Sequence, residues 1–262
     1  MTLNNICKTC GTEYPPAEES LAICPICSDD RQYIPEGGQQ WTNFIELAAH
    51  HKVKIKELTP VLYSLQIEPL FALGQRALLV LSPNGNILWD CIPLLDEPTV
   101  DFIKSKGGVK AIAFSHPHYY STMRRWAAAF NCPVYIHHLD KPWVFDADKT
   151  IMFWGGAEMK LWDDIKIAHI GGHFPGSSIL KVNSLSEKGT LLCGDSLYVS
   201  RSKRHISIMY SYPNIIPLPG NELKDAIKRV LLQQFDTIYG AFEWQNLKEN
   251  ARTIFESSIE RY

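Results

Sequence analysis

The chain has 262 residues, of which 45% are hydrophobic and 21% are charged, and its formal net charge is −2. This composition is typical of a globular protein with one large domain or with a domain and a small module. The charge gives no reason to expect a nucleic-acid or membrane partner, and no apolar run approaches the roughly 20 residues that span a bilayer. Since the sequence has no signal-peptide pattern, we expect a cytoplasmic protein whose seven cysteines are metal ligands or buried thiols.

Two Cys-x-x-Cys pairs lie near the N-terminus. Cys7 and Cys10 form the first pair, and Cys24 and Cys27 form the second, with 13 residues between the pairs. Each pair can present two thiolates to one tetrahedral ion, so the spacing favours a structural zinc over a redox-active dithiol. The module resembles a zinc ribbon, and its knuckles also resemble those of rubredoxin, which hold iron.

The segment 28–40 is rich in Asp, Gly and Pro and is typical of a linker. The predicted domains are therefore 1–40, a ribbon with its linker, and 41–262.

The rest of the chain first alternates strands with helices and then becomes rich in strands. The first part predicts helices over 41–49, 98–106 and 120–130, and strands over 61–67, 76–81, 87–90, 111–115 and 133–138. The second part predicts strands over 151–154, 165–169, 178–182, 190–193 and 236–239, with helices over 221–234 and 247–259. Such alternation indicates mixed α/β layers.

Potential metal ligands follow three of the predicted strands. His116 and His118 lie on a strand-to-helix turn, His173 lies in a glycine-rich turn, and Asp195 ends the strand at 190–193. The histidine pair alone is more typical of a polar loop than of a metal site. Together with His173 and Asp195 it fits a four-coordinate metal site, or a three-histidine site with a neighbouring carboxylate.

The order of these motifs resembles the metallo-β-lactamase-fold superfamily. That superfamily carries a His-x-His-x-Asp-His signature, followed by Gly-His-x-Pro-Gly and Gly-Asp. The resemblance covers about residues 54–245, and Asp90 matches the aspartate that ends an early strand in the family. It implies an α/β (α+β) fold of αββα sandwich type, with zinc or iron bound by His116, His118, His173 and Asp195.

The sequence departs from the family at the second metal site. Tyr120 stands where the family has an aspartate, Ser121 where it has the next histidine, and Phe242 where it has the late histidine. The first site is complete and the second lacks three ligands, so we expect one ion at most. A phenol cannot act as a carboxylate base but can donate a hydrogen bond, and Tyr119 is an equal candidate if the turn is rotated. Glu243 is the nearest carboxylate that could replace a lost ligand, although a solvated glutamate is the stronger expectation.

These observations predict a metal-dependent hydrolase with a mononuclear or degenerate site. In this prediction a metal-held hydroxide attacks an ester, thioester or amide of a small molecule that the sequence does not identify, with Tyr120 and Asp195 as catalytic residues. Two alternatives stay open. One is a non-catalytic descendant that binds a metal or a partner, and the other is an iron-bound, redox-related protein. The sequence gives no indication of the oligomeric state.

Overall fold

Short strands and five helices make up the computed structural model, which describes residues 4–16 and 21–262. In chain order the strands are β1 (Ile6–Cys7), β2 (Trp41–Thr42), β3 (Lys52–Thr59), β4 (Leu62–Glu68), β5 (Arg76–Val80), β6 (Ile87–Trp89), β7 (Ala111–Ala113), β8 (Val134–His137), β9 (Ile151–Trp154), β10 (Glu158–Lys160), β11 (Ile165–His169), β12 (Ser178–Val182), β13 (Thr190–Gly194), β14 (Tyr198–Val199), β15 (Ile206–Ser207), β16 (Thr237–Gly240) and β17 (Asn246–Leu247). The α-helices among the described residues are α1 (Phe44–His50), α2 (Glu97–Ser105), α3 (Met123–Phe130), α4 (Gly220–Leu231) and α5 (Ala251–Ile259).

Two large sheets carry the main domain. The first has seven strands, β3 to β9, which lie side by side in chain order. Its strands pair antiparallel from β3 to β6 and parallel from β6 to β9. The second sheet has the order β10-β11-β12-β13-β16-β17, and β13 and β16 pair parallel within it. The carboxyl ends of β7 and β13 carry the candidate ligands, which brings the two sheets to one common edge.

Hydrophobic side chains divide into layers that match these elements. One cluster joins the first sheet to α2 and α3, and it includes Leu65, Ile103 and Trp126. A second lies between the sheets and includes Trp89 and Leu180. A third joins the second sheet to α4 and α5. Full burial of one such side chain contributes roughly 1.5–3 kcal/mol. The predicted αββα sandwich is confirmed.

The structure corrects several predicted boundaries near the start of the main domain. The helix predicted over 41–49 begins at Phe44, because the Asn43 side chain caps it by accepting a hydrogen bond from the Glu46 amide. Residues Trp41 and Thr42 instead form β2, which pairs with β1 of the ribbon. Strand β3 was not predicted from the sequence. It is an edge strand in which lysines alternate with half-buried apolar residues. The division at residue 40 stays a prediction, although the ribbon's sheet continues past it.

The N-terminal ribbon packs directly on the main domain. Gly11 has a φ of +80°, and a Cβ at this position would lie 2.2 Å from Cγ of Pro93, so the knuckle requires glycine for its close approach. Glu13 accepts three hydrogen bonds of 2.6–3.0 Å from the Arg125 guanidinium on α3. In the described part of the chain, no helix is both long and apolar enough to cross a membrane.

Candidate metal centre

The four ribbon cysteines converge as their spacing predicts. Their sulfur atoms all lie within 4.8 Å of one another. The Cys7–Cys27 and Cys10–Cys24 sulfur pairs are 3.7 and 3.6 Å apart, far longer than a disulfide bond. Four sulfurs at about 2.3 Å from a tetrahedral zinc lie about 3.8 Å from one another. The cluster is therefore consistent with a zinc ribbon, and its closed coordination leaves no position for a substrate.

Four further ligand atoms converge at the common edge of the two sheets. They belong to His116 and His118 after β7, His173 after β11 and Asp195 after β13. His116 Nε2 lies 3.8 Å from Asp195 Oδ2, and His118 Nδ1 lies 3.4 Å from His173 Nε2. Nitrogen and oxygen ligands at about 2.0–2.2 Å from one tetrahedral ion lie about 3.4 Å apart, so the donor set fits a single metal.

Hydrogen bonds aim two of the imidazoles at this point. His173 Nδ1 donates to the Tyr210 carbonyl at 2.7 Å, which leaves the Nε2 lone pair for a metal. His116 Nδ1 lies 2.8 Å from Ser115 Oγ, and that hydroxyl donates to Asp90 at 2.9 Å. The Ser115 oxygen thus accepts the His116 proton, and His116 Nε2 is buried without a partner among the described residues. A buried nitrogen lone pair without a hydrogen-bond partner is what we expect of a metal ligand.

Burial sets the charge of the site. It lowers the pKa of His173 to about 4 and holds the pKa of His116 and His118 well below the usual value. All three imidazoles are therefore neutral at pH 7, as metal ligands must be. Burial also raises the pKa of Asp195 to about 7, against a lowering effect of its hydrogen bond from Gln75.

A glycine allows the two sheet edges to meet at the site. Gly194, at the end of β13, has a φ of +52°, and a Cβ there would lie 2.2 Å from Ser115 Oγ. The strand end that carries Asp195 therefore packs directly against the residue that precedes His116. No larger side chain fits between them.

The second-site positions hold no metal ligands. Tyr120 is buried in the core, where its ring packs edge-on against Phe114 at 5.2 Å. Ser121 adopts a φ of +43°, and its hydroxyl donates to the Gly11 carbonyl of the ribbon at 3.2 Å. Phe242 lines the pocket and stacks on Trp244. Tyr120 belongs to the core cluster and is not among the described residues that line the pocket above the ligands, and its catalytic role stays a prediction.

Two residues that the sequence analysis offered as substitutes lie elsewhere. Tyr119 packs edge-on beneath His116, with ring centroids 5.2 Å apart, and its buried hydroxyl has no partner among the described residues. Glu243 is exposed and pairs with Lys56, so it is the solvated glutamate that was expected. Of the two neighbouring tyrosines, Tyr119 is the one beside the ligands.

Sequence reasoning missed Gln75, which lies just before β5. Its Nε2 donates to Asp195 Oδ2 at 2.7 Å. The Gln75 amide thus holds one of the two carboxylate oxygens of Asp195. No motif marks this glutamine, because the loop that carries it reaches the site only through the tertiary fold.

A cavity of about 630 Å³ opens above the ligands. The ribbon supplies part of its lining, including Lys8, Gln32 and Tyr33, so the segment predicted as a plain linker also forms pocket wall. The opposite wall is aromatic: Tyr212 stacks on Tyr198 at 4.7 Å, and Tyr198 packs against Trp244. This pocket is suited to an apolar or ring-bearing group next to the metal position.

Solved structures with the same architecture include metallo-β-lactamases. TMB-1 superposes with a TM-score of 0.60 and 14% identity, covering 80% of this chain and 97% of its own. DIM-1 metallo-β-lactamase gives 0.59 and 13%, with coverages of 80% and 99%. A B3 metallo-β-lactamase described as having an active-site glutamic acid gives 0.57 and 15%, with coverages of 83% and 91%. At these identities the likeness concerns the fold alone.

Sequence comparison finds a full-length relative. The uncharacterized protein YmaE of Bacillus subtilis strain 168 is 41% identical over 260 residues, which cover 98% of this chain and 94% of YmaE. The chain belongs to the YmaE family. It has the metallo-β-lactamase fold with an N-terminal four-cysteine ribbon, as the sequence predicted. No family model matches the chain.

Proposed function

We propose that this protein is a hydrolase that uses one metal ion, held by His116, His118, His173 and Asp195, to cleave an ester, thioester or amide. The observation that carries the proposal is the convergence of four buried ligand atoms beneath a pocket of about 630 Å³. The second-site positions hold Tyr120, Ser121 and Phe242 in place of metal ligands, which favours one ion over two.

Different residues of the chain would bind the ion, orient the water and bind the substrate at this site. When bound, a divalent ion supplies a Lewis acid and lowers the pKa of a coordinated water to roughly 7. Three neutral imidazoles and Asp195 Oδ2 would hold such an ion, and the hydrogen bond from Gln75 holds the Asp195 carboxylate in place. Asp195 Oδ1 is buried with no partner among the described residues, so it can accept a hydrogen bond from the attacking water and orient it. The aromatic wall and the ribbon bind the apolar part of the substrate and exclude bulk water.

The experiment compares metal content and hydrolysis across matched variants. The wild-type protein, loaded with zinc or iron in separate preparations, is assayed on aryl and alkyl esters, thioesters and amides. In His116→Ala we expect the ribbon to keep its metal, the main site to lose its metal, and kcat/KM to fall by at least about 10²-fold. His50→Ala is the control, since His50 is exposed at the end of α1 and belongs to neither ligand cluster. Unchanged turnover in His116→Ala contradicts the proposal.

A non-catalytic metal-binding protein is the second candidate. The loss of three second-site ligands favours it, because the family's water-orienting aspartate is replaced by the core residue Tyr120. The same assay separates the two candidates. A wild-type protein that holds one ion at the main site and hydrolyses none of the panel supports the non-catalytic candidate.

A further inference from the structure

One side chain of the ribbon reaches a ligand of the main site. Arg31 lies in the segment that the sequence analysis read as a linker, yet it is buried, with 9% of its surface exposed. Its Nε donates to the backbone carbonyl of His173 at 2.6 Å, across 142 residues of chain. A charge-assisted hydrogen bond of this length is among the stronger polar contacts in proteins.

The same guanidinium also packs on both neighbours of the His173 ring. Its Cζ lies 4.5 Å from the ring centroid of Phe174, which follows the ligand in sequence. It lies 4.1 Å from the ring of Tyr210, whose carbonyl accepts the His173 Nδ1 proton. Arg31 therefore fixes the ligand's backbone and also the residue that fixes its tautomer.

The arginine is itself held rigidly. Asp29 accepts two hydrogen bonds from Arg31 Nη1, at 3.0 and 3.1 Å, and so neutralises the cation beside a site that binds a positive ion. Asn214 Nδ2 donates to the carbonyls of Asp30 and Gln32, and the Ser211 hydroxyl donates to the Arg31 carbonyl. These contacts join the ribbon to the loop that carries Tyr210.

We propose that Arg31 is a positioning residue for the metal ligand His173, and that the ribbon is thereby a part of the main metal site. The inference rests on the proposed metal site and not on any particular substrate. It assigns the ribbon a role beyond its own stability. In this inference a displaced or unloaded ribbon withdraws Arg31 from the His173 carbonyl and thereby weakens metal binding at the main site.

The test compares Arg31→Ala and Arg31→Lys with Arg125→Gln. Arg125 also joins the main domain to the ribbon, through Glu13, but its contacts lie away from His173. Zinc affinity of the main site is measured by chelator competition in protein whose ribbon keeps its ion. We expect affinity to fall about 10–100-fold in Arg31→Ala. Arg31→Lys should show most of the same fall in affinity. A lysine ammonium cannot stack on a ring and also donate a hydrogen bond in the plane of the stacked group, as a guanidinium does. Arg125→Gln should change affinity by about twofold or less.

A second readout separates positioning from general docking. Nitrogen-15 NMR of the histidine rings, with the main site free of metal, should show His173 as a single Nδ1–H tautomer in the wild type and in Arg125→Gln. Both Arg31 variants should show a mixture. If Arg31→Ala does not fold, Arg31→Lys decides the question. Wild-type affinity with a single tautomer in Arg31→Lys overturns the inference, and so does an equal loss of affinity in Arg125→Gln. A wild-type protein that binds no metal at the main site refutes the proposed function, and the tautomers then decide the role of Arg31.

Discussion

Asp195→Asn tests whether the main site is built for a cation. The substitution keeps the shape of the side chain and its ability to accept the Gln75 hydrogen bond, but it removes the negative charge. In metal-free protein the buried carboxylate destabilises the folded state, because burial raises its pKa from 3.8 to about 7. In metal-loaded protein the same carboxylate is a ligand. The variant should therefore be the more stable protein without metal and the less stable one with it.

The pKa shift fixes the size and the sign of the effect. Since the native state holds a proton that the unfolded chain releases, this group's contribution to stability falls as pH rises from about 4 to about 7. The full cost above that range is about 4 kcal/mol. Between pH 5 and pH 8 the free energy of unfolding of Asp195→Asn should rise by about 2–3 kcal/mol relative to that of the wild type. With zinc in excess at pH 8, the order of stability should reverse.

Urea denaturation at pH 5 and pH 8 measures the difference, in protein whose main site is stripped and whose ribbon metal content is verified. Asp140→Asn is the matched control. Asp140 is buried, its pKa is likewise raised to about 7 by burial, and it accepts a hydrogen bond from the Gly176 amide outside the ligand cluster. The control should show the same pH dependence in metal-free protein and keep its zinc affinity. A pH-independent difference between wild type and Asp195→Asn, or unchanged zinc affinity in that variant, would refute the reasoning.

Three further outcomes are expected. Cys24→Ser should remove the ribbon's ion and weaken the main site with it, as measured by metal content; a variant with full metal content and an unchanged N-terminus contradicts this. Gln75→Leu removes a hydrogen bond that lowers the pKa of Asp195, so zinc should be released at a higher pH than in the wild type during acid titration, and an unmoved midpoint argues against the contact. Burial lowers the pKa of His137 to about 4, so this histidine's contribution to the free energy of unfolding should decline as pH falls from about 6.5 towards 4. His137→Gln should flatten that decline in denaturation curves, and an equal decline in both proteins contradicts the assignment.

The architecture was accessible from sequence because its signals are local. Buried strands such as β5 and β7 are largely continuous apolar runs. The start of helix α2 is marked by a capping aspartate and an early proline. The candidate metal ligands could be predicted because each follows such a strand within a few residues. The cysteine pairs were accessible because their spacing alone satisfies tetrahedral geometry.

The residues that shape the pocket were not accessible in this way. Arg31 and Gln75 belong to loops without periodicity, and their partners lie 142 and 120 residues away along the chain. The choice between Tyr119 and Tyr120 depended on the rotation of one 3₁₀ turn, Pro117–Tyr119, which sequence spacing does not specify. That turn places Tyr119 beneath His116 and sends Tyr120 into the core.

The docked ribbon and the missing second site have a common physical basis. Ser121 stands at the family's histidine position, and its hydroxyl binds the Gly11 carbonyl while its own carbonyl accepts the Glu13 amide at 3.2 Å. Since the Gly11 carbonyl lies 3.2 Å from the Ser121 hydroxyl oxygen, an imidazole in place of that hydroxyl would contact the knuckle. The small serine is therefore what allows the ribbon to seat, and the seated ribbon in turn brings Arg31 to His173. If Arg31 positions His173 as proposed, the serine at this second-site position serves the docking of a module that supports the first site.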